Sequence, residues 1–147
     1  KVAVLFIDVD DFKFINDRFG HSVGDEVIKY VAGCIKQRVK GSGFAGRFGG
    51  DEFVLCITDA KQIEEIESLS LDLIDELYEG YHSELANVSI NVKASIGIAF
   101  FPEHGDDSNK IVAAADEAMY FVKKNGKANY HIYQPEDSQI EDLQHTL

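Results

Sequence analysis

Two adjacent glycines, Gly49 and Gly50, separate an apolar run, Phe44 to Phe48, from a second one, Phe53 to Ile57. Such a break predicts a β-hairpin with a Gly-Gly turn, because glycine takes the backbone angles that tight turns demand. A hairpin commits the sheet to at least one antiparallel pair and disfavours a purely parallel, doubly wound arrangement. Asp51 and Glu52 stand at the mouth of the returning strand. Acids on a rigid hairpin hold their position, as a metal ligand must. A second acidic group, Asp8-Val9-Asp10-Asp11, ends the apolar run Val2 to Ile7. Two strands that both end in carboxylates predict a shared divalent-metal site of the kind that serves phosphoryl and nucleotidyl transfer.

The remaining pattern sets the architecture. Lys1 to Asp8 reads as a buried strand, and a short helix follows from Asp11 to Phe19, closed by Gly20. Val27, Ile28, Val31 and Ile35 keep a helical period, with Gly24-Asp25 at its start and Gly41, Ser42 and Gly43 as its break. Between Ala60 and Tyr78, Ile63, Ile66, Leu69, Leu73, Ile74 and Leu77 form one apolar stripe. The opposite face carries Glu64, Glu65, Asp72 and Asp75, a solvated face. Val88 to Phe101 alternates like a strand, broken by Gly97, and Pro102, Gly105 and Asp106 make a turn. Ser108 is placed to cap a helix bearing Ile111, Ala115, Ala118, Met119 and Val122, which Gly126 ends. Tyr130 to Tyr133 is a last strand, and Ser138 to Leu147 an acidic, weakly amphipathic helical tail. The order β-α-α-β-β-α-β-α-β predicts an α/β (α+β) domain with a central mixed sheet flanked by helices. Residues 1–133 form that domain and 134–147 a tail or linker.

The 147 residues suffice for one domain with a real core. A net charge of −12 argues against nucleic acid or an anionic membrane surface as a partner. A nucleotide needs only a few local cations and a metal. No run is long and apolar enough to span a bilayer, and no signal peptide is visible. The chain opens directly on a strand, as a piece of a longer protein would. Cys34 and Cys56 lack metal spacing and are expected as buried free thiols of a reducing, cytoplasmic compartment.

Several residues admit two readings on spacing alone. Asp8 and Asp51 suit a shared cation, or are ordinary strand-end acids. Val9 to Lys13 joins a strand to a helix, where backbone N–H groups can cradle phosphate beside the Lys13 ammonium. Lys123 and Lys127 flank a helix stop, where they can bind phosphate or complement the helix dipole. Asn16 and Asp25 suit guanine, the carboxylate accepting from N1–H and the 2-amino group while the amide meets O6 or N7. They also suit a turn and an N-cap. His21 is expected in a turn or in packing, and His82, His104, His131 and His145 give no ligand spacing.

Taken together, the segments resemble the GGDEF domain of bacterial diguanylate cyclases. Gly49-Gly50-Asp51-Glu52-Phe53 is that signature letter for letter. Support comes from Asp8-Val9-Asp10-Asp11-Phe12-Lys13 with Ile15-Asn16-Asp17, and from Phe19-Gly20-His21 with Gly24-Asp25. Ser95-Ile96-Gly97-Ile98-Ala99 with Pro102, and Ala115-Asp116-Glu117-Ala118-Met119-Tyr120 with Lys123 and Gly126-Lys127, complete it from Val2 to Tyr133. The resemblance implies a nucleotidyl-cyclase and polymerase palm-like fold. It implies condensation of two GTP into cyclic di-GMP with release of two pyrophosphates, in a homodimer whose site closes between subunits. Asp8, the Val9 carbonyl and Asp51 would then bind Mg²⁺ or Mn²⁺. Asp51 would help deprotonate the attacking 3′-hydroxyl, and Glu52 would assist. The backbone of Asp11 and Phe12, with Lys13, would cradle phosphates. Lys123 and Lys127 would hold the terminal ones, and Asn16 and Asp25 would read guanine. Fused sensor or EAL domains would lie outside this chain. The alternative is a GTP-binding regulatory module acting on an EAL phosphodiesterase domain.

Three departures stand out. The leading helix of the family and its Leu-Thr turn are absent. The usual Gly-Arg/Lys-Asn is Gly126-Lys127-Ala128, a change expected to be minor. Many members carry an Arg-x-x-Asp product-inhibition site, and the matching positions here are Lys40 and Gly43. Gly43 has no carboxylate, so no strong product inhibition is expected through this site. A cyclic di-GMP titration of synthesis checks this, and submicromolar inhibition is the contrary result.

Overall fold

The computed structural model describes residues 1–39, 41 and 43–138. Lys40, one of the two product-inhibition positions, and 139–147, most of the expected helical tail with His145, lie outside the described residues.

The elements run β1 (Val2–Val9), α1 (Phe12–Phe19), α2 (His21–Lys36), β2 (Phe44–Arg47), β3 (Glu52–Ile57) and α3 (Ile63–Glu79). Then come β4 (Tyr81–Ser83), β5 (Val88–Ile90), β6 (Ala94–Phe101), α4 (Ser108–Lys124) and β7 (Tyr130–Ile132). Five strands form one sheet in the order β2-β3-β1-β6-β7. The β2–β3, β3–β1 and β1–β6 pairs are antiparallel and β6–β7 is parallel, so the sheet is mixed, as expected. The fourth and fifth strands form a separate small hairpin that the sequence reading did not resolve.

Why β1 reads as an unbroken apolar run is now clear. Its odd residues Ala3, Leu5, Ile7 and Val9 pack with α2 and α3 on one face. Its even residues Val4 and Phe6 pack with α4 on the other, beside Cys56 and Ala99. Residues two apart in a strand share a face, so Asp8 continues the row that faces α4. Its cross-strand neighbours are Glu52 on one side and Ser95 on the other. Cys34 and Cys56 are buried free thiols, and burial pushes the Cys34 thiol up to about 11. Among the described residues no helix is long and apolar enough to cross a membrane.

Several expectations need correction. The helix α2 starts at His21, not at Gly24-Asp25, and ends at Lys36 before the Gly41–Gly43 break. His21 is its exposed first residue rather than a packing histidine. The cap of α4 is Asp107, whose carboxylate accepts from the Lys110 N–H at 2.9 Å, not Ser108. Gly97 does not break its strand, because it sits mid-way along β6, where α4 crosses. A Cβ there would lie 2.8 Å from Met119 Cα and closer still to backbone atoms of Ala115 and Met119. Glycine is what lets helix and strand meet at backbone distance.

Gly97→Ala must push α4 off the sheet, and backbone atoms cannot rotate aside. Overpacking of this kind costs about 1–3 kcal/mol or more. Urea unfolding should show that loss, while Gly50→Ala, whose Cβ meets nothing, stays within about 0.5 kcal/mol of the parent. Equal stabilities for the two variants would contradict the packing argument.

Candidate active site

The topology brings one end of the sheet together. The antiparallel pairings put the C-terminal end of β1 beside the starts of β3 and β6. Helix α4 runs back over the sheet, so its last turn and the 125–129 turn arrive at the same end before β7 begins beside Ile96. Asp8, Asp10, Asp11, Asp51, Glu52, Lys123 and Lys127 converge there, although they are scattered over the chain. A cleft of about 700 Å³, lined by Arg38, Asp59, Lys61 and Glu64 among others, lies toward the far ends of α2 and β3 and holds none of them.

The hairpin is not the two-residue turn expected. Arg47 pairs with Phe53, and the Phe48 N–H donates to the Glu52 carbonyl at 2.8 Å. Gly49, Gly50 and Asp51 thus form the loop, and neither glycine has the positive φ of a primed turn. Gly49 is instead a matter of room: a Cβ there would lie 2.6 Å from Glu52 Oε1. The Arg47 guanidinium donates to the carbonyls of Gly49 and Gly50, at 3.1 Å from Nε to each, and fixes the loop from within. The Val9 N–H donates to the Asp51 carbonyl at 3.1 Å and ties that loop to β1.

Asp8 is the electrostatic centre. Its side chain is 17% exposed, and Lys123 Nζ lies 3.5 Å from its Oδ2. Its Oδ1 is buried and has no hydrogen-bond partner. Burial raises its pKa to about 7, with Lys123 pulling it back down while Asp51 and Glu52 push it further up. A hydrogen bond between Asp8 and Asp51 needs a proton on one of the two carboxyls. When both are ionised they repel, and Oδ1 is left without a partner. An orphaned buried carboxylate oxygen beside two further acids is oxygen chemistry of the kind a hard divalent cation takes. Among the described residues no three His, Cys, Asp or Glu side chains form a complete metal cage. Two carboxylates with room for water and phosphate oxygens suit Mg²⁺ better than a closed cage would.

The second acidic residue of the cluster behaves differently. The Asp10 side chain is fully buried and salt-bridged to Lys123 at 2.5 Å. The sequence reading gave it no role of its own. Lys123 therefore reaches across to the acids of β1, and the dipole of its own helix does not account for its position. Lys127 likewise donates to Asp11 Oδ1 at 2.8 Å, which lowers the Asp11 pKa and raises its own. Asp11 starts α1 with a left-handed backbone, φ 54°, and its side chain makes no cap. The Phe14 N–H donates to the Asp11 carbonyl at 3.0 Å, so the amides ahead of it, of Phe12 and Lys13, are the ones at the helix start that could meet an anion.

Asn16 of α1 lies against Gly24 of α2, one residue before Asp25. Gly24 has no side chain, and Asn16 Oδ1 together with the Phe12 ring occupies the space a Cβ would fill. Asp25 is exposed beside it, inside α2, so the N-cap reading of Asp25 and the turn reading of Asn16 both fall. Among the described residues the histidines form no ligand set. His82 bonds Ser89, His104 accepts from the Phe100 N–H, and His131 pairs with Asp137.

The raised Asp8 pKa has a measurable sign. Below about pH 4 the carboxyl is protonated in folded and unfolded chain alike. Between 3.8 and about 7 the folded state holds the proton more tightly, so stability falls as pH rises. Above about 7 the ionised form carries the whole penalty. Asp8→Asn should match the metal-free parent near pH 4 and exceed it at pH 8 by on the order of a few kcal/mol. Burial also lowers the His104 pKa, which works in the opposite sense, but both proteins share it. Thermal unfolding across that range checks this, and a difference independent of pH would contradict it.

Comparison with known proteins follows the same lines. A family model described as "Diguanylate cyclase, GGDEF domain" matches residues 1–129. The chain is 35% identical over 134 residues to MucR of Pseudomonas aeruginosa, a bifunctional diguanylate cyclase/cyclic di-GMP phosphodiesterase, covering 91% of this chain and 19% of MucR. It is 33% identical over 139 residues to PdeR of Escherichia coli K12, a cyclic di-GMP phosphodiesterase, covering 95% of this chain and 21% of PdeR. It thus spans only about a fifth of either relative. A solved structure of the isolated GGDEF domain of TpbB from P. aeruginosa superposes with a TM-score of 0.91 at 31% identity, over 96% of this chain and 81% of that one. The family model spans residues 1–129 and the superposition takes in 96% of the chain, and the chain belongs to the GGDEF domain family.

Proposed function

We propose that this domain is a diguanylate cyclase, condensing two GTP into cyclic di-GMP and two pyrophosphates. The observation that carries the reading is the Asp8 carboxylate, short of a partner beside Asp51 and Glu52 and faced by Lys123. A bound Mg²⁺ or Mn²⁺, held by Asp8, the Val9 carbonyl and Asp51, would neutralise that charge and polarise phosphate oxygens.

The chain's own residues would divide the rest. Asn16 and Asp25 orient guanine, and adenine, lacking the N1–H and 2-amino donors, would leave the carboxylate unpaired. The Asp11 and Phe12 amides and Lys13 hold the inner phosphates, while Lys123 and Lys127 hold the outer ones and stabilise the departing pyrophosphate. Asp51 accepts the proton of the 3′-hydroxyl, with Glu52 beside it. This local set of cations explains how a chain of net charge −12 can bind a polyanion. Each chain offers one base site and one set of lysines, so two GTP require two copies face to face.

A second reading, a regulatory module that binds GTP without turnover, draws support from PdeR, which carries the matching region and is named for the opposite activity. Incubation with GTP and Mg²⁺, followed by liquid chromatography and mass spectrometry, separates the two. The chain, dimerised through a fused coiled coil, should make cyclic di-GMP. Asp51→Ala should reduce synthesis by at least about 100-fold. No product from a dimer that binds GTP would overturn the cyclase and favour the regulatory module.

A further inference from the structure

We propose that Asp10 is a positioning residue: it sets Lys123 and the Lys127–Ala128 turn in the conformation that receives the terminal phosphates, without touching substrate or metal itself. The inference rests on the reading above, in which those lysines bind phosphate.

Asp8, Asp10 and Asp11 look alike in sequence, yet the structure gives them three different situations. Asp8 has an unpartnered oxygen. Asp11 is exposed, and its ion pair with Lys127 is open to solvent on both sides. Asp10 is sealed, with a side-chain exposure of 0%. Its Oδ1 accepts from Ser95 Oγ at 2.7 Å and from Lys123 Nζ at 2.5 Å. Its Oδ2 accepts from the Ala128 N–H at 3.0 Å, and its own N–H donates to the Lys93 carbonyl at 2.8 Å. Both oxygens are thus occupied by protein donors from β6, α4 and the turn before β7.

Each donor needs that anchor. The Lys123 ammonium rides on a flexible four-carbon stem and adopts one position only where something fixes it. Lys127 and Ala128 are consecutive left-handed residues, φ 63° and 51°. That conformation is disfavoured for side chains with a Cβ, and alanine has no polar group to offset it. Two hydrogen bonds hold the turn there, Lys127 N–H to the Val122 carbonyl at 2.9 Å and Ala128 N–H to Asp10. Without the second, Lys127 would leave its place beside Asp11. An incoming phosphate can displace the exposed Asp11 partner, while the buried Asp10 contact stays and keeps the lysine stem aimed.

Asp10→Asn keeps the shape but loses the charge. Its amide nitrogen must also face either the Ala128 N–H or the Ser95 and Lys123 donors. Calorimetric binding of GTP and of GMP, with Mg²⁺, to this chain tests the inference. The parent should bind GTP at least about ten-fold tighter than GMP, and Asp10→Asn should shrink that gap about ten-fold with GMP affinity unchanged. In a Lys123→Met, Lys127→Met background, Asp10→Asn should change neither affinity. If Asp10→Asn fails to unfold cooperatively, Ser95→Ala, which withdraws one support from the carboxylate, should narrow the gap in the same direction. An unaltered gap in a folded variant, or equal loss for GTP and GMP, would overturn the positioning role while leaving the cyclase reading intact. A parent that binds GTP no better than GMP would overturn the role of the lysines themselves, and with it both readings.

Discussion

Burial of β1 on both faces is the constraint on which the rest of this domain depends. A central strand packed against α2 and α3 on one side and α4 on the other cannot shift register without moving every apolar residue to the wrong face. That rigidity fixes where the strand stops and where Asp8 stands. The carboxylate then sits at the dry end of a packed row, between Glu52 and Ser95. Its charge is poorly compensated because hydrophobic packing, not electrostatics, decides its position. A site that repels itself when unliganded is one that a cation and a polyanion can stabilise together.

Close approach of α4 to the sheet is the second requirement. Gly97 lets the helix cross β6 at backbone distance. The last turn of α4 then delivers Lys123 to the acids of β1, and the turn beyond delivers Lys127. Packing in the middle of the sheet and charge at its end are therefore one problem, solved by one glycine on one helix crossing.

Much of this was legible in the sequence. The unbroken apolar run of β1, the α1 span, the hairpin and the pairing of Asp8 with the Asp51 turn follow from periodicity and turn chemistry. The family resemblance supplied the residues proposed for guanine and phosphate, and the structure places them at the sheet end and along α1 and the start of α2. What sequence reading missed has physical reasons. The loop uses three residues because Arg47 fixes two carbonyls of the turn, an interaction that no glycine pattern announces. Asp107 outcompetes Ser108 as cap by one residue, within the usual blur of helix boundaries. Asp10 could not be told from Asp8, because its partners lie 85, 113 and 118 residues away.

The central claim is that folding forces Asp8 into a setting where its negative charge is unwelcome until ligands arrive. The direct test is a carbon-13 NMR titration of the aspartate side-chain carboxyls in the metal-free chain, with Asp8→Asn identifying the resonance. The account predicts an Asp8 midpoint near the value of about 7. A midpoint at or below about 4, that of an ordinary solvated aspartate, would contradict it.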